Sequence, residues 1–253
     1  MNSIRRERIR EFVEQNQYAT VDQLTALFPN VSLMTIHRDL TFLQEQGFLV
    51  KVRGGARYIA DSQGEPAFAA REILGREAKQ RVGLKATRFV SGSSSVFIDA
   101  GTTMLAFAKE VPNIQASIVT SGPNIALELA KKPLLTVSLC GGVLNKNNLT
   151  LSGSVAIDAL SSINIDTAFT VASGYGAEYG FTCGMESEAA IKELVTRKAR
   201  TSIMMLDASK LGKVLPYTFA RLEDYDILIT DKDPQELPAD LRRAAEEAGV
   251  VLV

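Results

Sequence analysis

Two short helical patterns separated by a Pro29-Asn30 break leave the front of this chain few ways to fold. The first pattern begins at Thr20, and Gln23 stands three residues on, as in a capping box. Its apolar side is formed by Leu24, Leu27 and Phe28. The second pattern begins at Ser32, a typical N-cap residue, and Gly47 is placed to end it in a left-handed conformation. Its apolar positions are Leu33, Ile36, Leu40 and Leu43. Two helices joined by so short a turn predict a helix-turn-helix.

The side of the second helix that faces away from these apolar positions is rich in groups that contact nucleic acid. Its residues are Ser32 at the cap, then Met34, Thr35, His37, Arg38 and Thr41. Most lie in the first two turns, the part of a recognition helix that enters the major groove. Arg38 suits a guanine edge or a phosphate, and Thr35 suits a phosphate or a base edge.

A basic hairpin follows this helix. Residues 48–53 alternate as a strand, Gly54-Gly55 form a turn, and residues 56–59 return. Lys51, Arg53 and Arg57 are the cations of this hairpin. An opening helix with Ile9, Phe12 and Val13 at helical spacing completes a predicted winged helix-turn-helix. The alternatives are a merely solvated helix face and a protein-docking module.

Charge and composition narrow the function classes. Residues 1–57 carry a net charge of +2 and the remainder −3, as expected for a nucleic-acid-binding module ahead of an acidic body. The only histidine is His37 and the only cysteines are Cys140 and Cys183, which excludes a structural zinc site and a Ser-His or Cys-His pair elsewhere. With no signal peptide and no apolar membrane span, a reduced, cytoplasmic protein is expected.

The second part of the chain alternates between strand and helix patterns. We predict a DNA-binding domain at 1–59, a linker at 60–70 and an α/β domain with a largely parallel sheet at 71–253. Predicted strands are 95–99, 115–120, 134–140, 166–172, 202–207 and 226–230. Predicted helices are 71–90, 103–110, 123–131, 153–162, 187–200 and 238–248.

Three loops that follow predicted strands are suited to bind an anion, because hydroxyls, glycines and free amides meet there at helix starts. They supply Asp99, Gly101, Thr102 and Thr103, then Ser121 and Asn124, then Gly141 and Gly142. Together they predict a phosphate-sized site. Neither GxxxxGK[ST] nor GxGxxG occurs in place, which disfavours a nucleoside triphosphate or a dinucleotide.

Two further groups have a functional and a plain interpretation. Glu186, Glu188 and Lys192 open the predicted helix at 187–200, where carboxylates could accept sugar hydroxyls. Glu188 and Lys192 also have the i,i+4 spacing of an ordinary surface ion pair. Lys210 either reaches an anion or caps a turn.

The segment from Val31 to Leu40, followed by Leu43, Gly47 and Arg53-Gly54-Gly55-Ala56, resembles the signature of DeoR-family bacterial transcriptional regulators. The loops at 99–103, 120–124, 141–142 and 207–212 resemble the effector domain of that family. Departures from the family pattern are His37 in place of arginine, the longer Pro29-Asn30 turn, Gly122-Pro123, Leu211 in place of an aromatic residue, and Ser173–Gly176.

The resemblance implies an effector domain similar in fold to ribose-5-phosphate isomerase that binds a phosphorylated sugar. It also implies a repressor of a sugar-catabolism operon, dimeric or tetrameric, that binds operator DNA and is released by the sugar. No cofactor, metal or membrane is expected. The competing hypothesis is an isomerase-like enzyme with Asp99 or Glu188 as its base and an accessory DNA-binding module. The sequence does not separate a repressor from an activator.

Overall fold

The computed structural model describes residues 2–45, 48–58 and 68–253, so Gly47, Ile59 and residues 60–67 of the predicted linker lie outside it. The chain forms two compact units, Met1–Leu74 and Gly75–Val253. A helix runs over Phe68–Ile73, so residues 68–70 of the predicted linker are helical. Among the described residues, no helix is both long enough and apolar enough to cross a membrane.

The N-terminal unit is a winged helix-turn-helix, as predicted. Its elements are α1 (Asn2–Asn16), β1 (Tyr18–Thr20), α2 (Val21–Leu27), α3 (Leu33–Glu45), β2 (Leu49–Val52), β3 (Gly55–Tyr58) and α4 (Phe68–Ile73). The capping box of Thr20 and Gln23 is present. The strands pair antiparallel in the order β1-β3-β2, and β1 was not predicted.

The core of this unit lies between the three helices and the sheet. It is formed by Ile9, Val13, Leu24, Ile36, Leu40, Leu43, Phe48 and Leu49. Two residues expected in it are exposed: Leu27 at 41% and Leu33 at 52%. Leu27 is the last residue of α2 and Leu33 the first of α3, so each lies at the rim. The Cα–Cβ bonds of a helix tilt toward its N-terminus. At Leu33, the first residue of α3, this tilt directs the side chain beyond the end of the core.

A buried carboxylate ties the first helix to the third. Asp39 on α3 is 1% exposed and accepts hydrogen bonds from Nε of Arg5 at 2.5 Å and from Nε of Arg6 at 2.7 Å. The guanidinium of Arg6 also lies 3.8 Å from the centre of the Phe42 ring. These contacts fix the direction of α3, because a buried charge is stable only when it is paired and hydrogen-bonded.

The C-terminal unit is built on alternating helices and strands. Its helices are α5 (Arg76–Ala86), α6 (Thr102–Glu110), α7 (Pro123–Leu129), α8 (Ser154–Ser161), α9 (Glu186–Lys198) and α10 (Ala239–Ala248). Its strands are β4 (Ser95–Ile98), β5 (Ala116–Thr120), β6 (Leu135–Leu139), β7 (Val143–Asn145), β8 (Thr150–Ser152), β9 (Thr167–Val171), β10 (Gly174–Gly176), β11 (Gly180–Cys183), β12 (Thr201–Leu206), β13 (Tyr217–Ala220), β14 (Ile227–Thr230) and β15 (Val251–Leu252). Short 3-10 turns lie at Thr87–Phe89, Ala208–Lys210, Leu222–Asp224 and Pro234–Glu236.

Seven strands form one parallel sheet in the order β15-β14-β12-β9-β4-β5-β6. The six strands predicted for this unit are confirmed as members of it. The β7–β8 hairpin, the antiparallel sheet β10-β11-β13 and strand β15 were not predicted. From β4 the chain proceeds to β5 and β6, then returns to β9 on the other side of β4. The strand order therefore reverses between β4 and β9, which is where ligands bind in open α/β sheets.

The two adjacent glycines of the wing give a test of this fold. At Gly55 an added Cβ would lie 2.2 Å from the carbonyl oxygen of Ala19 on β1, so Gly55→Ala forces β1 and β3 apart. At Gly54, with φ +82°, a Cβ meets nothing within 4 Å. We expect Gly54→Ala to lower stability by about 1–2 kcal/mol, because only the backbone conformation is unfavourable.

Gly55→Ala should lower it by clearly more, because the added methyl group overlaps the backbone of β1, which must move. Urea unfolding followed by circular dichroism measures both changes. Equal stability of the two variants would contradict the β1–β3 pairing.

Candidate functional site

The exposed side of α3 carries the residues that we predicted to contact DNA. Met34 is 71% exposed, Arg38 is exposed, and Thr35 and His37 are half-buried. Ser32 caps the helix: its Oγ lies 2.9 Å from Oγ1 of Thr35 and accepts the Thr35 amide at 3.3 Å. The cap holds the first turn of α3 in place, so the side chains of that turn project from a fixed backbone.

The wing is joined to α3 by hydrogen bonds. Nζ of Lys51 donates to Oγ1 of Thr41 at 2.9 Å, and the Lys51 amide donates to Oε1 of Gln44 at 2.7 Å. The Thr41 hydroxyl donates in turn to the carbonyl oxygen of His37 at 2.9 Å. Arg53 and Arg57 are exposed. Helix α3 and the hairpin therefore present one connected basic surface.

Asp99 is the centre of the second site, at the point where the strand order reverses. It follows β4 and is 1% exposed. One carboxylate oxygen accepts the Ala100 amide at 2.8 Å and the Ser121 hydroxyl at 3.3 Å, and the other accepts the Val171 amide at 3.2 Å. This carboxylate therefore joins the carboxyl ends of β4, β5 and β9.

Lys192 on α9 forms a buried ion pair with Asp99 and donates to the carbonyl oxygen of Val171 at 3.0 Å. Burial opposes the charge of Lys192, but the carboxylates of Asp99 and Glu188 outweigh it, so the pKa of Lys192 is raised. The ammonium group stays charged. Burial also raises the pKa of the neighbouring Cys183 thiol to about 12, which keeps it neutral.

The loop after Asp99 leads into the start of α6. Gly101 adopts φ +129°, a conformation that other residues rarely reach, and its position would bring a Cβ to 3.3 Å from Cγ2 of Val171. Thr102 and Thr103 begin the helix, and neither hydroxyl makes a hydrogen bond with the described residues. The first amides of a helix are free to bind an anion, and its dipole favours negative charge there.

The loops after β5 and β6 lie beside the one after β4. Both polar atoms of the Asn124 amide are enclosed, and neither makes a hydrogen bond within the described residues, so the group is available to a ligand. Gly141 and Gly142 have φ +75° and +101°. A Cβ at Gly142 would lie 2.4 Å from the carbonyl oxygen of Ser152, so the chain just before β7 approaches β8 too closely for any side chain.

The carboxylates of α9 have different surroundings. Glu188 is 7% exposed and accepts a hydrogen bond from the amide of Asn148, whereas Glu186 is exposed. Because Glu188 and Lys192 are both buried, the interpretation as a surface ion pair is wrong. Lys210 is half-buried in the turn after β12, outside the set of contacts that joins Asp99, Ser121 and Lys192.

Several residues of this region were missed. Asn148 contacts Glu188, and Oγ of Ser152 donates to Oγ of Ser187 at 3.1 Å. The polar run 145–148 between two apolar segments is typical of a turn, but nothing in the sequence indicates that this turn reaches α9. The backbone of Val171 has no sequence signal, since any residue supplies the same amide and carbonyl.

A winged helix-turn-helix joined to a parallel α/β unit with an enclosed polar site defines the class of ligand-responsive DNA-binding proteins. Residues 5–62 match the DeoR-like helix-turn-helix domain, and residues 75–232 match the DeoR C terminal sensor domain. The chain belongs to the DeoR family of transcriptional regulators.

Individual relatives agree with this assignment. The HTH-type transcriptional regulator GolR of Listeria innocua is 32% identical over 90% of this chain and 89% of that protein. The HTH-type transcriptional repressor GlcR of Bacillus subtilis is 33% identical over 92% of this chain and 90% of that protein. Ribose 5-phosphate isomerase A of Methanocaldococcus jannaschii is 15% identical over 54% of each chain with a TM-score of 0.40, too distant to support an argument.

The relatives are regulators and not enzymes, and the geometry of Asp99 agrees with them. A general base needs a carboxylate within reach of a substrate proton. Both oxygens of Asp99 already accept protein hydrogen bonds, and the group is paired with a buried ammonium. Asp99 therefore organises the site and is not placed to remove a proton.

The buried ion pair gives a direct test of this geometry. Lys192→Met leaves the Asp99 carboxylate buried without its counter-ion, and we expect a loss of roughly 3–5 kcal/mol in stability. Because the pKa of Lys192 is raised in the folded protein, its contribution is complete below pH 10.5 and is lost as the pH rises further. The difference between wild type and variant should therefore shrink above pH 10.5. Urea unfolding over a pH series measures it.

The matched control is Arg197→Gln on the same helix. Arg197 is 74% exposed and pairs with Glu193 at 2.8 Å, so its loss should change stability by less than about 1 kcal/mol. An equal effect of the two substitutions would contradict the role given to the Asp99–Lys192 pair.

Proposed function

We propose that this regulator represses a sugar-catabolism operon and leaves its operator when a phosphorylated sugar binds the C-terminal unit. Residues 1–59 bind the DNA, 60–70 connect, and 71–253 bind the sugar. Its site of action is the cytoplasm, where bacterial operator DNA is found. The observation that carries the proposal is the polar cluster around Asp99 and Lys192, at the point where the strand order reverses.

The chemistry of this cluster suits a small molecule with one anionic end and several hydroxyls. The free amides of α6 and the hydroxyls of Thr102 and Thr103 suit a phosphate. The Asn124 amide and the Glu188 carboxylate suit sugar hydroxyls, which donate and accept hydrogen bonds. Gly141 and Gly142 let the backbone approach such a ligand closely. Glu186 and Lys210 complete the proposed effector site at its margin.

In the N-terminal unit, we propose that α3 reads the operator in the major groove. Ser32, Met34, Thr35, His37 and Arg38 supply contacts from the first turns of the helix. Thr41 and Lys51 hold the wing against α3, and Lys51, Arg53 and Arg57 contact phosphates. The sugar lowers operator affinity only by as much as it prefers the state that does not bind DNA.

Arg38→Ala tests the DNA surface. Removing an exposed arginine that contacts a base should weaken binding by about 1–3 kcal/mol and relax the sequence preference. Binding is measured by fluorescence anisotropy on a site selected from random duplexes, at two salt concentrations. The control is Arg242→Ala, an exposed arginine on α10. Operator affinity unchanged in Arg38→Ala would refute the assignment of α3 as the recognition helix.

Thr102→Ala combined with Thr103→Ala tests the effector site. Each lost hydrogen bond to a charged phosphate is worth about 1.5–3 kcal/mol, so the sugar concentration that releases DNA should rise by more than 100-fold. DNA affinity without sugar should not change. A panel of phosphorylated sugars and their unphosphorylated counterparts is titrated into the protein–DNA complex.

The matched control replaces two exposed hydroxyls at the end of α8, Ser161→Ala with Ser162→Ala. If the threonine variant responds to the sugar as the wild type does, the phosphate site is elsewhere. If no phosphorylated sugar releases the wild type, the proposed effector class is wrong.

A further inference from the structure

The only histidine of the chain, His37, lies on the outer side of α3. Residues spaced i, i+3, i+4 and i+7 lie on one side of a helix. On α3 this spacing defines a row that we call the outer stripe, formed by Met34, His37, Arg38 and Thr41. Ile36 and Leu40 lie on the opposite side and are fully buried in the core. His37 is therefore in the middle of the face that the core leaves uncovered.

Both ends of the outer stripe are held by hydrogen bonds. At the start of α3, the Ser32 hydroxyl accepts the Thr35 amide at 3.3 Å. At the other end, the Thr41 hydroxyl accepts from Nζ of Lys51 on β2 and donates to the His37 carbonyl, both at 2.9 Å. From Met34 to Thr41 the stripe rises about 10 Å, which is about three base-pair steps. The backbone that carries His37 is thus fixed over the length of a short base sequence.

The imidazole of His37 has no polar partner among the described residues. No hydrogen bond or ion pair joins it to another side chain there, and the bond that His37 does form uses its backbone carbonyl. A polar atom that the fold leaves without a partner is available to a molecule from outside the chain. This free imidazole on the outer stripe is the observation that carries the inference.

The charged groups on α1, α2 and β2, the elements that pack against α3, supply no counter-ion to His37. Those bonded to other residues are Arg5, Arg6, Glu7, Arg10, Glu14 and Lys51. The others are exposed, namely Arg8, Glu11 and Asp22. On α3 itself, His37 is followed by the exposed Arg38 and by Asp39, whose carboxylate is bound to Arg5 and Arg6. The outer stripe has no carboxylate, so a partner that fits it is negatively charged.

We propose that His37 reads a guanine of the operator as a protonated imidazole that donates a hydrogen bond to N7 of the base. A protonated imidazole has a donor on each ring nitrogen and no acceptor. At the major-groove edge, guanine presents two acceptors, whereas adenine and cytosine present an amino donor and thymine presents a methyl group. Guanine is therefore the base that this cation fits best. The inference rests on the proposed binding of α3 in the major groove.

The proton makes this contact dependent on pH. Histidine is the side chain that ordinarily gains a proton between pH 8 and pH 5, and the phosphates of duplex DNA favour its cationic form. Arg38 and Lys51 belong to residue types that keep their charge over this range. The thiols of Cys140 and Cys183 stay neutral, because burial raises their pKa to about 11 and about 12. His37 is thus the group through which operator affinity depends on pH.

The main test is the pH dependence of operator binding, measured without any sugar by fluorescence anisotropy at constant ionic strength. The duplex is one that the wild type selects from random sequences at pH 6. The wild type should bind it about tenfold more tightly at pH 6 than at pH 8, the lower end of what a hydrogen bond to a charged group contributes. His37→Gln keeps a polar side chain that does not titrate, so it should bind equally at both pH values.

Arg38→Ala is the matched control, because it removes the neighbouring cation and leaves His37 in place. Its affinity should fall at both pH values, and the ratio between the two should stay as in the wild type. Circular dichroism compares the folding of the three proteins at each pH. A wild-type affinity that does not change with pH, or a pH dependence that persists in His37→Gln, would overturn the inference.

Base analogues identify the atom that His37 contacts. Each guanine of the selected duplex is replaced in turn by 7-deazaguanine, which has a carbon in place of N7 and keeps its base pairing. At one position the replacement should weaken wild-type binding at pH 6 by about tenfold. The same replacement should have no effect on His37→Ala, because that variant no longer makes the bond. A double-mutant cycle without coupling at any guanine would overturn the assignment of N7.

The outcomes separate this inference from the function on which it rests. If the wild type shows no sequence preference at either pH, the assignment of α3 as the recognition helix fails, and the role of His37 fails with it. If the wild type binds a specific site and Arg38→Ala weakens that binding, while His37→Gln changes nothing at either pH, only the inference about His37 is wrong.

Discussion

The buried ion pair between Asp99 and Lys192 holds the C-terminal unit together at its topological reversal. Two charges are stable in a protein interior only when they are paired and their remaining polar atoms are hydrogen-bonded. Asp99 meets this condition through Ala100, Ser121 and the Val171 amide, and Lys192 through the Val171 carbonyl. The pair therefore fixes three strand ends and α9 relative to one another. The three loops that we propose to bind the anion keep their positions because these ends cannot move independently.

The main sheet was predictable because its strands are apolar runs separated by helices, a pattern that only a parallel α/β sheet satisfies. The antiparallel sheet β10-β11-β13 was not predictable. Its strands are three to four residues long, the run from Gly174 to Gly180 contains three glycines, and β13 joins from 34 residues further along the chain. Whether such short segments form strands depends on the other strands that pair with them. Strand propensity depends on such packing more than on the strand's own sequence.

The candidate site was predictable where a residue type is required by backbone geometry and not where a partner is distant. Gly101 and Gly142 were identifiable, since both loops have a positive φ that favours glycine. The partner of Lys192 was not. Helical spacing suggested Glu188, four residues away, but the ion pair forms with Asp99, 93 residues away. Burial decides between the two carboxylates as partners of Lys192. A buried ammonium group needs a close counter-ion, whereas a local pair on a solvated helix face contributes only about 0.5 kcal/mol.

The N-terminal unit shows why counting charges overstates a DNA-binding surface. Of the eight basic residues before residue 58, Arg5 and Arg6 are used by the buried Asp39, and Arg10 pairs with Glu7 and Glu14. Arg5 and Arg6 hold α3 against α1, whereas Arg10 is paired within α1. The cations of α3 and the wing are Arg38, Lys51, Arg53 and Arg57, which are all exposed. A net charge of +2 for residues 1–57 therefore describes neither group of cations. Arg5 and Arg6 hold α3 in place, and the exposed cations of α3 and the wing are the ones that we propose to contact DNA.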